Sequence, residues 1–516
     1  MATFYVQNFG CRATQADGAS LERQFEERGL TRADEPSQAQ IVVLNTCTVT
    51  SSADQDARAA IRRVHRQNPD AQIVVTGCYA QRSPEELASL PGVAQVIGNS
   101  HKHKLVDIAL PDAGSGDACQ QGQPNFVALS ALVSDRRPEI FISDIFAHTE
   151  LLAAPVFDAA NERTRPNLKV QDGCDNRCSF CVIPFVRGQN RSLPLQRILG
   201  EVNNLVAAGF REVVISGINL GRWGRDLEAS SQISAFSSPR SALTSQPSEH
   251  GDSFWGNPEE PYLPLPDEQP TTNDQRLSSS RRPTTDGRRL SLESLVRSIL
   301  DHTSIEKLRI SSVEPMDWSD ELIALVANSP RIAKHAHVPM QSGSDAVLRR
   351  MHRKYRPWHY REKIEKIRAA MPHAAIGADV MVGFPGETDA EFEETRCMVE
   401  ELPFTYLHVF TYSARPGTPA ASMPKQVPVA VARERNRMLR ELAARKHQAF
   451  LETFVGREVD AITLARTTDV GDSTEALTDN YLKLTVSGRL PANAWITAHV
   501  QRVEENALVG EVLVAV

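Results

Sequence analysis

Three closely spaced cysteines constrain this chain most strongly: Cys174-Asp-Asn-Arg-Cys178-Ser-Phe-Cys181 directly follows a short apolar run. The spacing of three and then two residues keeps the thiols on one loop after a predicted strand. Cubane iron-sulfur clusters usually have four protein ligands, so three cysteines hold three irons and leave the fourth iron open to a substrate ligand. A structural zinc site and chance are the alternatives, but no fourth ligand lies at the spacing of a zinc knuckle.

Short apolar runs alternate with helix-compatible stretches on both sides of this motif, which is the pattern of an α/β protein. Before the motif, strands are predicted at FYVQNFG, 41–47 and 73–79, and helices at 19–28 and 52–67. The next predicted strand, 168–171, leads into the motif, and further strands are predicted at 212–216, 307–312, 335–340, 375–382 and 407–412. We therefore expect an N-terminal open α/β domain and then a partial (β/α) barrel, with its chemistry at the C-terminal strand ends.

Composition divides the rest of the chain. The stretch from 111 to about 165 is irregular and contains PDAGSGDACQQGQP, which is typical of a connector, and we assign the connector to 113–159. The segment 227–289 is rich in Ser, Pro, Asp and Asn, so we interpret it as a disordered insertion in a core that spans 160–445. The final segment, 446–516, alternates apolar and polar residues in short runs (458–464, 481–486, 494–503 and 508–514), which predicts a small β-barrel.

Length, charge and cysteine use exclude several classes of protein. The 516 residues contain no run of about 20 apolar residues and no signal-like start, so we expect a cytoplasmic protein without a membrane partner. Eight cysteines in such a chain do not indicate the disulfide framework of a small secreted domain. The net charge of -7 gives no general attraction to nucleic acid, so RNA binding would require local basic patches.

Three further cysteines follow predicted strands of the first domain: Cys11 in NFGC, Cys47 in LNTC and Cys78 in VTGC. Parallel strands of one sheet end at the same edge, so these thiols can converge despite their separation in sequence. A second three-cysteine cluster site is one interpretation. The other is that the three are inert buried residues, as isolated cysteines often are.

The CxxxCxxC motif resembles that of the radical S-adenosylmethionine enzymes, and its combination with Cys11, Cys47 and Cys78 resembles the methylthiotransferase family over essentially the whole chain. This resemblance implies a cluster domain at 1–112, a radical core and a TRAM-like C-terminal barrel. It also implies two 4Fe-4S clusters, one held by Cys174, Cys178 and Cys181 as the catalytic centre and an auxiliary one for sulfur insertion. S-adenosylmethionine is the implied cosubstrate. Cys119 and Cys397 match nothing in the family pattern, and we expect them to be incidental.

Polar residues after other predicted core strands are candidate cofactor contacts, because barrel enzymes bind ligands at strand ends. The resemblance makes them candidate contacts for the S-adenosylmethionine, and the same residues could instead form turns. The candidates are Glu314, Gln341, Ser342, Asp379 and Gly383.

Two basic segments are candidate RNA contacts, since phosphate contacts and aromatic stacking are what RNA recognition uses. The first spans 348–368 and interleaves Tyr355, Trp358 and Tyr360 with arginines and lysines; the second spans 433–446. A solvated helix face with acidic partners is the alternative for each. Barrels of the TRAM type favour RNA, so we expect a tRNA anticodon stem-loop as partner, together with an electron donor such as a flavodoxin or ferredoxin.

Finer resemblance lies in CDNRCSFCVIPFVRG, RMHRKYR and LHVFTYSARPGTPA. These segments resemble the branch that adds a methylthio group to C2 of N6-threonylcarbamoyladenosine at tRNA position 37. Two other branches share both cysteine motifs: one acts on N6-isopentenyladenosine in tRNA, and one modifies an aspartate of a ribosomal protein. A non-catalytic iron-sulfur protein that binds RNA is the alternative from another class.

Overall fold

The computed structural model describes residues 2–110, 138–148, 151, 155–156, 164–227, 290–467 and 473–515. Cys119, most of the predicted connector and the predicted insertion beyond residue 227 lie outside these residues. Among the described helices, none is both long and apolar enough to cross a membrane.

The N-terminal sheet has six parallel strands in the order β2-β1-β3-β4-β5-β6. Their bounds are β1 Thr3–Asn8, β2 Thr31–Arg32, β3 Ile41–Thr46, β4 Gln72–Gly77, β5 Val93–Gly98 and β6 Glu139–Phe141. The helices of this part are Arg12–Glu27, Ser51–Gln67, Cys78–Arg82, Pro84–Ala88 and Leu105–Ala109. Apolar side chains pack on both faces of the sheet, which accounts for the continuous apolar runs of β3 and β4.

Several features of this sheet differ from the sequence prediction, which did not include β2 or β5. The first helix begins at Arg12 rather than at residue 19, and it includes Gly18, where an added Cβ would lie within 2.4 Å of the Asn8 side chain. Glycine is therefore used here for close packing of helix on strand and not as a helix breaker. Strand β6 belongs to the predicted connector, but it pairs with β5 through Gln95, Val96 and Ile97.

The core contains six parallel strands that form two short sheets. In the first, β11 (Lys307–Ile310), β10 (Glu212–Gly217) and β8 (Asn167–Asp172) are neighbours, with β7 (Pro155–Val156) and β9 (Arg191–Ser192) antiparallel to β8. In the second, β12 (His335–His337), β13 (Ala375–Val382) and β14 (Tyr406–Thr411) follow in order. The Val313 N–H donates to the His337 carbonyl at 3.1 Å, which joins the two sheets.

Helices cover this arc of strands, and the predicted partial (β/α) barrel is confirmed. They are Ile183–Arg187, Leu195–Ala207, Leu292–His302, Asp320–Asn328, Asp345–Arg350, Pro357–Ala370, Asp389–Glu401 and Val429–Glu452. Strand β12 ends three residues earlier than predicted, because Pro339 lacks an N–H and Gln341 has a left-handed φ of 64°.

The C-terminal segment forms a closed barrel of five strands in the order β15-β16-β17-β19-β18. The strands are β15 Glu458–Thr467, β16 Ser473–Thr478, β17 Lys483–Ser487, β18 Trp495–Glu504 and β19 Ala507–Ala515. The sequence analysis predicted a small barrel but missed β16, whose six residues include three with polar hydroxyl side chains. The closed barrel confirms the predicted fold class.

A buried cluster of charges joins the N-terminal helix to the core. Asp17 pairs with Lys102 at 3.1 Å and Arg187 at 3.0 Å, and it also pairs with Lys169. Asp172 pairs with Lys169 at 2.8 Å and Arg187 at 2.9 Å. All five side chains are at most 8% exposed, so each charge depends on the others for compensation. We call these five residues the charge cluster.

Candidate active site

The loop after β8 carries Cys174, Cys178 and Cys181, and its backbone is closely restrained. The Cys174 N–H donates to the Gly188 carbonyl at 3.0 Å, and the Cys181 N–H donates to the Cys178 carbonyl at 3.1 Å. Gly173 has a φ of +70°, and a Cβ there would lie 1.8 Å from the Gln189 carbonyl oxygen. Only glycine fits at this position, which fixes where the first cysteine leaves the strand.

Hydrogen-bond donors point at two of these sulfurs. Cys174 Sγ accepts from the Asn176 N–H at 3.4 Å and from Asn219 Nδ2 at 3.5 Å, and Cys178 Sγ accepts from Arg353 Nη1 at 3.3 Å. Burial, followed by the charge of Cys178, raises the pKa of Cys181 to about 12. Burial also raises the pKa of Cys174. Forming a thiolate at these positions costs free energy unless a positive centre is bound nearby. A metal cluster supplies such a centre.

The donor set fits a cluster better than a single ion. Within the described residues, no group of three His, Cys, Asp or Glu side chains is arranged closely enough to hold one metal ion. Three cysteines on one loop without a fourth ligand instead suit a cubane cluster with one open iron. The CxxxCxxC residues are therefore compatible with the iron-sulfur cluster that the sequence predicts.

Cys11, Cys47 and Cys78 follow β1, β3 and β4, which are neighbours in the N-terminal sheet. A Cβ added to Gly10, whose φ is +93°, would lie 2.7 Å from Cys47 Sγ, so the loop carrying Cys11 contacts Cys47 directly. Burial, followed by the charge of Cys78, raises the pKa of Cys47 to about 12, and Cys11 contributes in the same direction. The three thiols thus lie near enough to repel one another as thiolates.

A cavity of about 570 Å³ opens beside both cysteine sets. Cys11, Cys174, Cys178 and Cys181 all line it. The strand ends of the core contribute most of its remaining wall, and Arg12 and Tyr481 reach it from the N-terminal helix and the C-terminal barrel. Cys47 and Cys78 are 2% and 1% exposed and lie behind this surface.

Three of the five predicted cofactor contacts line the cavity: Glu314, Gln341 and Asp379. The other two are engaged elsewhere. Ser342 Oγ lies 3.1 Å from Thr395 Oγ1 and accepts from the Ser344 N–H at 3.1 Å. Gly383 faces helix Val429–Glu452, where an added Cβ would lie 2.5 Å from a neighbouring side chain. These two positions shape the walls behind the cavity without reaching it.

Arg353 is a site residue that the sequence analysis assigned to an RNA-binding patch. Its guanidinium donates to Cys178 Sγ and pairs with Glu314, and its Nε donates to the Tyr355 hydroxyl at 3.2 Å. The burial of Arg353 opposes its charge, but Tyr355 and Glu314 outweigh that effect and raise its pKa well above the usual value. It is a fixed cation beside the CxxxCxxC loop.

The remainder of the first basic segment also pairs within the chain. Tyr355 and Tyr360 are buried, with their hydroxyls donating to the carbonyls of Met340 and Val338 at 2.8 and 2.7 Å. The surrounding cations form ion pairs with Asp345, Glu391, Glu401 and Asp320. A helix face with acidic partners, the alternative interpretation, therefore describes most of this segment, and RNA contact here stays a prediction.

The second basic segment behaves in the same way on helix Val429–Glu452. Arg435 is buried against Glu387 at 2.6 Å, and Arg437 pairs with Glu434 and Glu441 at 2.5 Å each. The partners of Arg437 are three and four residues away, where side chains are neighbours on a helix surface.

Asp379 is a carboxylic acid of the cavity wall with a perturbed pKa. Burial, followed by the charge of Glu314, raises its pKa to about 6. Because the pKa is higher in the folded state than in the unfolded state, ionisation of Asp379 lowers the free energy of unfolding as the pH rises from about 4 to 6. Above pH 6 this loss of stability is complete. We expect Asp379→Asn to increase the free energy of unfolding by about 2 kcal/mol at pH 8, after allowing for the quarter of the side chain that is exposed.

Urea unfolding of the cofactor-free protein at pH 4 and pH 8 checks this effect. The gain should be small at pH 4, where the carboxyl is protonated in the folded state and about half protonated in the unfolded state. The exposed Asp320, with 70% of its side chain accessible, supplies the control Asp320→Asn, which should show no such gain. An equal stability of wild type and Asp379→Asn at pH 8 would contradict the assignment.

Comparison with known proteins adds two family matches. Residues 3–98 match an uncharacterized protein family, UPF0004, and residues 278–397 match the radical SAM superfamily. Both matches are partial. The first covers the N-terminal sheet with Cys11, Cys47 and Cys78, and the second covers the later core strands.

Longer matches come from individual proteins. The threonylcarbamoyladenosine tRNA methylthiotransferase MtaB of Bacillus subtilis strain 168 is 32% identical over 95% of this chain and 91% of its own length. The protein of the same name from Aquifex aeolicus strain VF5 is 31% identical, over 93% of this chain and 96% of its own. A tRNA-2-methylthio-N(6)-dimethylallyladenosine synthase of Novosphingobium aromaticivorans is 30% identical over 90% and 87%.

Proposed function

Because the chain belongs to the MtaB family of radical S-adenosylmethionine tRNA methylthiotransferases, we propose that it adds a methylthio group to C2 of N6-threonylcarbamoyladenosine at tRNA position 37. The relatives named for that nucleoside match the chain over more than nine-tenths of its length. A relative named for the dimethylallyl nucleoside is nearly as similar, so the dimethylallyl substrate is the second candidate.

One observation carries the proposal: Cys11 lines the same cavity as Cys174, Cys178 and Cys181. A methylthiotransferase must bring a sulfur source and a radical source to one carbon atom. Two cysteine sets that open to one cavity meet that requirement, and a single cluster would not. We therefore assign Cys11, Cys47 and Cys78 to an auxiliary 4Fe-4S cluster, in addition to the cluster of the CxxxCxxC loop.

The chain's own residues prepare the radical site. Cys174, Cys178 and Cys181 would hold the cluster, and Glu314, Gln341 and Asp379 are placed to contact S-adenosylmethionine. When bound, the reduced cluster supplies the electron that cleaves S-adenosylmethionine into methionine and a 5'-deoxyadenosyl radical. Arg353 and Asn219 stabilise negative charge on the ligating sulfurs by donating hydrogen bonds to them.

The barrel and the remaining partners complete the proposal. The five-stranded barrel, which we take to be TRAM-like, contributes Tyr481 to the cavity and would therefore meet the tRNA beside the target base. A flavodoxin or ferredoxin would reduce the cluster, and the reaction would take place in the cytoplasm.

Mass spectrometry of tRNA nucleosides tests the proposed function. Cells lacking the gene are compared with cells that carry the wild type, Cys178→Ala or Cys397→Ala. The wild type and Cys397→Ala should restore 2-methylthio-N6-threonylcarbamoyladenosine, because Cys397 lies on helix Asp389–Glu401, where it contacts Glu393. Cys178→Ala should not restore it.

Unchanged methylthio nucleosides in the deletion strain would exclude a tRNA substrate for this enzyme. Loss of the 2-methylthio-dimethylallyl nucleoside alone would instead assign the second candidate. Restoration by Cys178→Ala would show that the radical cluster is not required.

A further inference from the structure

Arg12 is a cation that faces the active-site cavity without a carboxylate partner. It is the first residue of helix Arg12–Glu27, and it lines the cavity next to Cys11. Its Nη2 donates to the Tyr481 hydroxyl at 3.2 Å. In the part of the chain that the structure describes, this is the one side-chain hydrogen bond of its guanidinium, and it forms no ion pair there. A guanidinium has five N–H donors, so most of the donors of Arg12 remain available to a ligand.

Tyr481 is the other partner in this hydrogen bond, and positively charged side chains lie around it. It lies in the turn between β16 and β17 with a left-handed φ of 70°. The guanidinium carbons of Arg309 and Arg165 lie 5.2 and 5.7 Å from its ring centre. Those two arginines share one carboxylate, Glu212, at 2.7 and 3.8 Å. Three guanidinium groups therefore approach one phenol, with a single carboxylate among them.

The adjoining histidines of the wall are neutral. Burial, followed by His408 and Arg12, lowers the pKa of His337 to about 3. Burial and Arg12 likewise lower the pKa of His408. His337 Nε2 is buried without a hydrogen-bond partner among the described residues, although it lies 3.5 Å from Asp379 Oδ1 and its ring lines the cavity. This part of the cavity thus combines excess positive charge with an unused polar atom, which is a suitable environment for an anionic ligand.

We propose that Arg12 and Tyr481 bind the carboxylate of the threonyl group on the substrate nucleoside, and so select an acidic N6 substituent over a neutral one. This inference rests on the proposed function and deepens it. The Arg12 fork matches the planar geometry of a carboxylate. The Tyr481 hydroxyl accepts from Arg12, so its own proton is available to donate to the same carboxylate.

A neutral hydrocarbon at N6 would leave these groups desolvated and unpaired. Sites built to bind a polar group reject analogues that lack it more strongly than apolar pockets reject an extra methyl group. Selection between an acidic and a dimethylallyl substituent would therefore arise from residues of the first helix and of the C-terminal barrel, both outside the (β/α) core.

Two matched RNAs test this inference with the cluster-loaded protein. One anticodon stem-loop carries N6-threonylcarbamoyladenosine, and the other carries the same nucleoside with its carboxylate converted to the neutral amide. The kcat and KM values of methylthiolation and the equilibrium Kd of each RNA are measured for wild type, Arg12→Ala, Arg12→Lys and Tyr481→Phe. Arg63→Ala, which removes an exposed guanidinium from helix Ser51–Gln67, is the control.

We expect the wild type and Arg63→Ala to prefer the acidic RNA by about 10- to 100-fold, mainly through KM and Kd, as charged hydrogen bonds would give. Arg12→Ala should reduce this preference to about onefold, and Arg12→Lys should restore part of it. Tyr481→Phe should reduce it less than Arg12→Ala does.

Equal use of both RNAs by the wild type would overturn the inference, as would a preference that survives in Arg12→Ala. The iron content of each variant shows whether Arg12→Ala disturbs the neighbouring Cys11. If the iron content of Arg12→Ala falls, the test rests on Tyr481→Phe. An undiminished preference for the acidic RNA in that variant overturns the inference. Turnover of neither RNA by the wild type would overturn the proposed function itself.

Discussion

Replacing Cys47 by alanine is expected to abolish methylthiolation, by at least about a thousandfold, while the iron content falls by about half. Cys47 is buried beside the loop that carries Cys11 and belongs to the set assigned to the auxiliary cluster. Its loss leaves two thiols at that site, whereas the CxxxCxxC loop keeps all three. Sulfur insertion should therefore fail in a protein that still contains one cluster.

Iron and sulfide analysis, electron paramagnetic resonance and product formation are measured on the same preparation. Cys178→Ala should lose the other half of the iron and lose cleavage of S-adenosylmethionine. Cys397→Ala should match the wild type in every measurement. Methylthio product from Cys47→Ala would show that the N-terminal thiols take no part in sulfur insertion, and full iron content would show that they hold no cluster.

Asp17→Asn is expected to lower the free energy of unfolding by about 3 to 5 kcal/mol, because it removes one of the two anions of the charge cluster. Lys102, Lys169 and Arg187 would then share Asp172 alone in a region almost closed to water. Urea unfolding of wild type and variant at pH 7 measures the effect. The control is Asp107→Asn, because Asp107 pairs with Arg28 on the surface and its side chain is 58% exposed. That variant should lose less than about 1 kcal/mol.

The effect of Asp17→Asn has a defined pH dependence. Burial would raise the pKa of Asp17, but Lys102, Lys169 and Arg187 outweigh burial and lower it to about 2. A carboxylate with a lowered pKa stabilises the fold fully above its unfolded value, near pH 4, and loses that contribution as the pH falls towards 2. The difference between wild type and variant should therefore be constant above pH 4 and shrink below it. A difference that stays constant down to pH 2 would contradict the charge mechanism.

The sequence was sufficient to predict the parallel strands of the core, half of those in the N-terminal sheet and the cysteine sets, because these depend on local patterns. Runs such as IVVL (41–44) and IVV (73–75) are apolar at every position, which is typical of a buried parallel strand. The convergence of Cys11, Cys47 and Cys78 followed from the shared edge of parallel strands. Each of these inferences required only neighbouring residues and a topology that limits the alternatives.

Residues whose role depends on a distant partner could not be predicted in this way. Arg353 lies 175 positions from Cys178, and nothing near it in sequence distinguishes it from the arginines that pair on the helix surface. Tyr355 and Tyr360 resemble stacking residues among basic ones, yet their hydroxyls satisfy backbone carbonyls of the core. Burial of a polar side chain with its partner is a tertiary property, and the local pattern of charges does not encode it.

The contact between Arg12 and Tyr481 joins residues that are 469 positions apart. During synthesis the N-terminal part of a chain emerges and folds first. All six cysteines assigned to the clusters are therefore translated well before Tyr481, the residue that closes this side of the cavity. We expect nascent chains to present the four cavity-lining cysteines, Cys11, Cys174, Cys178 and Cys181, on an open surface, accessible to the machinery that delivers iron and sulfide, until the barrel docks as the final step of biogenesis.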